Sequence, residues 1–254
     1  MCGSDSDAIN RFMALGRSVA ASGGVFDCSF DECMRIDEVV LQTASMAKYA
    51  MAYNNFTILD GTFLVTAYDL MLIIATNVDC LGKSVMTGYV FAESENSEAA
   101  VRGLQAFKLE RVAATLMTDG ASSYAVTAQE CKMVHILCVQ HYRTTLMSAK
   151  SGMPQELGAQ FLKDCNALIF NVFPTIACFN GELAKCKQTY NKFPAASKFM
   201  DRLERDAERV CASYTSRHFT AGHVASQRAE SNNARVKQDA LLKEDLKKFN
   251  LLET

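Results

Sequence analysis

The sequence lacks several features that would assign a protein quickly to a class. It has no tryptophan, only three prolines, and no CxxC pair among its ten cysteines. The longest apolar run, residues 70–78, is too short to cross a bilayer, which takes about 20 residues. No P-loop, no GxGxxG motif and no convincing Ser/His/Asp spacing is present. These absences argue against a membrane-spanning segment, a nucleotide-binding loop and a nucleophilic triad.

The composition predicts a packed globular protein. Of the 254 residues, 49% are hydrophobic and 21% are charged, which suits one large domain or one domain with an insertion. With no signal-peptide pattern at the start, the scattered cysteines predict reduced thiols in an intracellular protein. The net charge of -2 argues against a free-standing basic DNA binder, but not against an acidic metal site that meets nucleic acid.

The central part of the chain predicts a mixed sheet. Five strands are indicated, at residues 56–60, 69–79, 84–92, 112–117 and 132–137. Short connections make the first three antiparallel, whereas a helix separates the fourth from the fifth and makes those two parallel. In such a sheet the first and fourth strands can lie side by side, with Asp60 and Asp119 at neighbouring ends.

The stretch after the predicted sheet has helical periodicity. Helices are indicated at residues 157–173, 179–190 and 195–214, punctuated by three prolines, which is too long and regular for a loop. We therefore expect an all-helical insertion. The predicted organisation is an N-terminal α+β segment (1–53), a core (54–140), the insertion (141–215) and a C-terminal part of the core with a helix that carries Glu230 (216–254).

Acidic residues at neighbouring strand ends, with a third carboxylate on a late helix, suit a pair of divalent metal ions. Magnesium prefers carboxylate oxygens, and two ions about 3.5–4 Å apart activate the attacking oxygen and stabilise the leaving one. Considered alone, Asp60 has a plainer interpretation, as an aspartate that starts a turn before Gly61.

Four short motifs resemble the Mutator-like (MULE) transposase domain, a DDE enzyme with an RNase H-like fold. Residues 59–63 (LDGTF) are similar to its D-x-T-[YF] start, and residues 117–120 (MTDG) to its second acidic motif. Residues 137–141 (LCVQH) resemble its C-x-x-H motif, and residues 226–233 (SQRAESNN) its third acidic motif. The resemblance covers about residues 10–248 and implies an RNase H-like five-stranded mixed sheet flanked by helices, with a helical insertion before the last catalytic helix.

The resemblance also implies roles for the three acids. Asp60 would bridge two Mg²⁺ or Mn²⁺ ions, Asp119 would hold one of them and Glu230 the other. No nucleophilic side chain is required, because the metals activate water.

Basic and amide side chains near Glu230 are candidate DNA contacts. Arg228 and Asn233 flank it, and they could contact phosphate or orient the carboxylate; Arg235 and Lys237 follow as plausible backbone contacts. An ordinary solvated surface explains these four residues as well.

The C-x-x-H pair, Cys138 and His141, would lie near the cleft at the entry to the insertion. Two ligands are half of a zinc site, so a structural or DNA-positioning role stands beside plain packing. The family often carries a tryptophan next to this histidine, and here Gln140 occupies that position.

The function that the resemblance implies is a DDE transposase core acting on transposon ends and target DNA, as a homo-oligomer, in the nucleus. The family usually adds zinc-type DNA-binding modules for which this chain has no room, so a separate DNA-binding domain or partner protein is expected. An alternative is a domesticated, transposase-derived DNA-binding or transcription-regulatory protein without catalysis. A generic RNase H-like nuclease is a third interpretation, disfavoured by the insertion and the motif order.

Overall fold

The computed structural model describes residues 5–33, 35–62 and 70–222. The described residues divide into two compact units, the first reaching Val134 and the second beginning at His135. Each unit is described by itself. In the described part of the chain, no helix combines the length and the apolar character that crossing a membrane requires.

The first unit is built from strands with helices between them. The strands are β1 (Val25–Phe30), β2 (Ile36–Gln42), β3 (Phe56–Thr62), β4 (Met71–Val78), β5 (Ser84–Ala92), β6 (Thr115–Thr118) and β7 (Val134–Leu137), which spans the boundary between the units. The helices are α1 (Asp5–Ala21), α2 (Ala44–Ala52), α3 (Ser97–Ala106) and α4 (Ser122–Glu130).

All seven strands join one sheet in the order β1-β2-β5-β4-β3-β6-β7. β3, β4 and β5 form antiparallel pairs, whereas β3 and β6 are parallel. This mixed sheet, with helix α1 before its first strand and helices α2 to α4 between later strands, agrees with the predicted RNase H-like α/β fold. The side-by-side placement of the first and fourth predicted strands is confirmed.

Two more strands extend the predicted five-stranded sheet, and the sequence pattern also indicates strands at residues 25–30 and 36–41. β2 pairs antiparallel with β5, and β1 pairs antiparallel with β2. The cause is visible in β2, where Val39, Val40 and Leu41 are all buried. A strand with that much apolar surface is stable only when it packs on a core.

Both faces of the central strands are covered. One face packs Leu59, Ile73 and Leu104 into a single apolar cluster, and the other packs Leu72 with Phe12. Successive strand residues point to opposite faces, so nearly continuous apolar runs such as β4 are required. The end of β3 therefore lies in a largely dry environment.

The second unit is helical apart from its part of β7. Its helices are α5 (Val139–Ala149), α6 (Gln155–Phe170), α7 (Ile176–Tyr190), α8 (Pro194–Val210) and α9 (Ala212–Thr215). They enclose one core, in which Phe161 lies edge-on to Tyr190 with ring centroids 4.8 Å apart. The three predicted helices are confirmed, whereas the division into domains at residues 53, 140 and 215 stays a prediction.

Candidate functional site

The sheet brings Asp60 and Asp119 to the same edge. In the parallel ladder between β3 and β6, Ile58 pairs with Met117, so each aspartate follows its paired residue by two positions. Neighbouring strands lie about 4.8 Å apart, and the carboxyl ends of parallel strands meet at one edge of the sheet. Asp60 is only 6% exposed, whereas Asp119, one residue beyond β6, is half-buried.

A tight turn fixes the carboxylate of Asp119. Its Oδ1 accepts a hydrogen bond from the backbone N–H of Ala121 at 3.0 Å. Between them, Gly120 has a φ of 98°, which glycine adopts without the steric cost that other residues have. The N–H of Gly120 also donates to Thr118 Oγ1 at 3.3 Å. The aspartate after β6 is thus held by backbone geometry that the sequence Thr-Asp-Gly allows.

Glu95 lies near Asp119 and Gly61, and the sequence analysis did not select it. It stands between β5 and α3, half-buried. Burial raises the pKa of its carboxyl, contact with the Tyr124 hydroxyl opposes that rise, and the negative charge of Asp119 adds to it. A signal was present, because an acid shortly after the apolar strand 84–92 repeats the pattern that drew attention to Asp60.

Tyr124, from α4, lies beside Glu95. Its side chain is fully buried, and its hydroxyl contacts the Glu95 carboxylate without reaching ordinary hydrogen-bond geometry. Burial raises the pKa of this phenol most strongly, followed by the negative charges of Glu95, Asp119 and Asp60. One buried hydroxyl is therefore close enough to all three carboxylates to sense their charge.

Several predicted site residues lie outside the described residues. These are Glu230, Arg228, Asn233, Arg235 and Lys237. Their proposed roles in metal and DNA binding stay predictions.

The C-x-x-H pair lies at the start of α5, in the second unit. Cys138 is the fully buried N-cap residue of that helix, and His141 is half-buried in its first turn. The described residues contain no group of three or more His, Cys, Asp or Glu side chains that could hold a metal ion. A structural or DNA-positioning role of Cys138 and His141 stays a prediction.

Cys131 and Cys211 are buried and form no disulfide. Burial raises the pKa of Cys211 to about 12 and that of Cys131 to about 11, so both are protonated near neutral pH. Such thiols pack in the core and are poor nucleophiles.

The donor atoms at the sheet edge fit a hard divalent cation. Asp60 and Asp119 offer carboxylate oxygens, which Mg²⁺ prefers. No three acidic, histidine or cysteine side chains in the described part of the chain form a group that could hold a metal ion, and this includes Asp60, Asp119 and Glu95. The remaining predicted ligand, Glu230, is outside the described residues.

Comparison with known proteins identifies the family. A family model described as the transposase IS66 family matches residues 71–234, which is more than half of the chain. The match includes Asp119, Cys138, His141 and Glu230 and begins after Asp60. No curated protein matched the chain. The comparison supports the predicted DDE class, and the Mutator-like assignment within it stays a prediction; the chain belongs to the IS66 transposase family, a family of DDE-type transposases.

Proposed function

We propose that this chain is the catalytic domain of a DDE transposase that cuts DNA at transposon ends and joins the freed ends to target DNA. The observation that carries the proposal is the parallel pairing of β3 with β6, which sets Asp60 and Asp119 at one edge of the sheet. The match to a transposase family over residues 71–234 supports it independently.

The chemistry needs oxygen ligands for the metal ions rather than a nucleophilic side chain. Asp60, Asp119 and Glu230 would hold two Mg²⁺ or Mn²⁺ ions, which when bound activate the attacking oxygen and neutralise the leaving one. The buried position of Asp60 keeps its carboxylate in a low-dielectric environment, where its attraction for a cation is strong. The backbone bond from Ala121 holds the Asp119 carboxylate in one orientation.

The proposed reaction has two balanced steps. In the first, a water oxygen attacks a phosphorus atom at the transposon end, the bond to the 3′-oxygen breaks, and that oxygen takes up a proton to give a free 3′-hydroxyl. In the second, this hydroxyl loses its proton and attacks a target phosphodiester, forming a new P–O bond and releasing a 3′-hydroxyl on the target strand.

The finer assignments belong to the same proposal. The order of the four motifs supports a relationship with Mutator-like transposases, and a nuclear location and a homo-oligomer are proposed with it. Arg228, Asn233, Arg235 and Lys237 are proposed as DNA contacts, and a separate DNA-binding domain or partner as the source of end recognition.

The proposal is tested by nicking of supercoiled plasmid DNA with Mg²⁺ or Mn²⁺. We compare the wild type with Asp60→Asn and with Asp37→Asn, a matched control on an exposed position of β2. We expect metal-dependent nicking by the wild type and the control and none by Asp60→Asn. Nicking that survives in Asp60→Asn would contradict the proposed site. DNA binding without cleavage by any variant would favour the domesticated DNA-binding protein.

A further inference from the structure

We propose that one face of α8, in the helical unit, binds the phosphate backbone of duplex DNA. This α8 basic face carries Lys198, Arg202, Arg205 and Arg209. The inference rests on the proposed function, because it names a surface that would hold the DNA substrate of that reaction. It assigns a role to residues that none of the four sequence motifs contains.

The spacing of the four basic residues places them on one side of the helix. They are separated by four, three and four positions, and residues three or four apart are neighbours on the surface of an α-helix. At about 1.5 Å per residue, the α8 basic face is about 16 Å long. Duplex DNA carries one negative charge per about 1.7 Å of its axis, so a face of this length can reach several phosphates.

The exposed acidic residues of α8 lie on the side of the helix that meets α7. Asp201 and Glu204 form ion pairs with Lys187 of α7, at 2.8 and 2.6 Å. Glu204 and Glu208 line the groove between α7 and α8, and Arg205 stands at the border between this groove and the α8 basic face. Acidic and basic side chains are therefore segregated along α8, and the acids do not cancel the charge of the basic face.

A buried carboxylate holds two of the arginines in place. Asp206 forms ion pairs with Arg202 and Arg209 and accepts a hydrogen bond from the hydroxyl of Tyr142. The guanidinium of Arg202 also lies 4.7 Å from the centre of the Tyr142 ring and donates to Thr145 Oγ1 at 3.5 Å. Two arginines against one aspartate leave one positive charge in excess. Guanidinium groups that are already held lose less side-chain entropy when they bind a phosphate.

The other two basic residues have no counterion in the described part of the chain. Lys198 and Arg205 are exposed, and neither forms an ion pair with another described residue. Helix α5, which packs on α8 through the rings of Tyr142 and Phe199, adds no opposing charge, because residues 132–155 contain no aspartate or glutamate. The charge complement of this surface is therefore an anion, and phosphate is the anion that a DNA substrate offers.

The test is the salt dependence of DNA binding by the full chain, measured by fluorescence anisotropy on two labelled duplexes of unrelated sequence. EDTA is present, so that divalent cations do not contribute. The wild type is compared with Lys198→Gln/Arg205→Gln and with the matched control Lys163→Gln/Arg17→Gln, which removes the same residue types from exposed positions of α6 and α1. A further variant, Lys198→Arg/Arg205→Lys, keeps both charges. Circular dichroism checks that each variant is folded.

We expect Lys198→Gln/Arg205→Gln to bind both duplexes about tenfold or more weakly at low salt. The slope of log K against log salt concentration should become shallower by about 2, since each phosphate contact contributes about 0.9. The matched control and the charge-keeping variant should bind as the wild type does.

Three results would overturn the inference: unchanged binding by Lys198→Gln/Arg205→Gln, equal weakening in the matched control, or a loss confined to one duplex, because phosphate contacts do not read sequence. A wild type that binds neither duplex would overturn it as well. Plasmid nicking judges the proposed function separately: metal-dependent nicking that Asp60→Asn abolishes would leave that function standing in each of these cases.

Discussion

Acidic side chains have different surroundings in the two units. In the helical unit, Asp206 is 8% exposed, accepts a hydrogen bond from the hydroxyl of Tyr142, and forms ion pairs with Arg209 and Arg202. In the sheet unit, burial and the negative charge of Asp119 raise the pKa of the half-buried Glu95 carboxyl, which contacts the hydroxyl of Tyr124. A carboxylate surrounded by its own counterions is part of the fold. A carboxyl group whose pKa is raised by burial and by a neighbouring carboxylate is typical of a functional site.

The largest expected effect is on activity. Asp119→Asn removes a ligand charge but keeps the side-chain oxygen that accepts from Ala121, so the fold should be preserved. We expect nicking activity to fall by about a hundredfold or more. Plasmid nicking and a thermal melt of the same preparation measure both properties. If the protein loses its fold together with its activity, Asp119 is a structural residue, as Asp206 is. The two acids would then not differ in role.

The next largest effect concerns the helical unit. Asp206→Asn leaves two arginines beside a neutral group, which should lower the free energy of unfolding by about 3–5 kcal/mol. Asp201→Asn is the matched control on the same helix, where an exposed ion pair with Lys187 is worth at most about 1 kcal/mol. Urea denaturation measures both. Equal effects of the two substitutions would show that the Asp206 cluster does not stabilise the unit.

Replacing either of two glycines by alanine should change the stability of the protein, in opposite directions. At Gly61 the added Cβ would stand 2.0 Å from Met71 Cε and 2.8 Å from Glu95 Oε1, so we expect a loss of about 1–3 kcal/mol. At Gly158 in α6 the nearest atom would be 3.7 Å away, and alanine should stabilise the helix by up to about 1 kcal/mol. Thermal denaturation checks both signs. A stable Gly61→Ala protein would mean that Glu95 does not occupy the space above residue 61.

The smallest effect is a pH dependence of stability that arises at Glu38. This carboxylate has one arginine partner, whereas Asp206 has two. Its Oε1 is 3.4 Å from Arg102. Burial raises the pKa of this carboxyl, Arg102 opposes the rise, and the charge of Asp37 adds to it.

The pKa of Glu38 is higher in the folded than in the unfolded protein. Between these two pKa values, the folded state therefore binds more protons than the unfolded state. Stability contributed by this group is therefore lost as the pH rises from about 4 through the raised pKa. Glu38→Gln has no such loss, so its stability relative to the wild type should grow between pH 4 and 7. Chemical denaturation across this range measures the difference, and a constant difference would exclude the raised pKa.

The sequence predicted the elements whose pattern is local. An apolar strand that ends in an acid located Asp60, and the expected mixed sheet allowed β3 and β6 to lie side by side, as they do. The pattern of β2 shows that it is a strand without showing that it joins the same sheet by pairing with β5. Pairing across 45 or more residues depends on the tertiary contacts of both strands, such as the bond from Gln42 to the carbonyl of Thr87.

The sequence predicted less of the site. Glu95 was missed because the segment that follows β5 is rich in turn-forming residues, and such residues usually have a local role. Its proximity to Gly61 and Tyr124 arises only when β3, α3 and α4 pack together. The pairing of Asp206 with Tyr142 was equally out of reach, since it joins two helices separated by 64 positions in the chain.

The central claim is that the acidic edge formed by β3 and β6 binds divalent metal. The most direct measurement is anomalous diffraction from crystals of the full chain grown with Mn²⁺. The account predicts an anomalous peak at coordinating distance from carboxylate oxygens of Asp60 and Asp119. A well-ordered edge without such a peak at saturating Mn²⁺ would contradict the account.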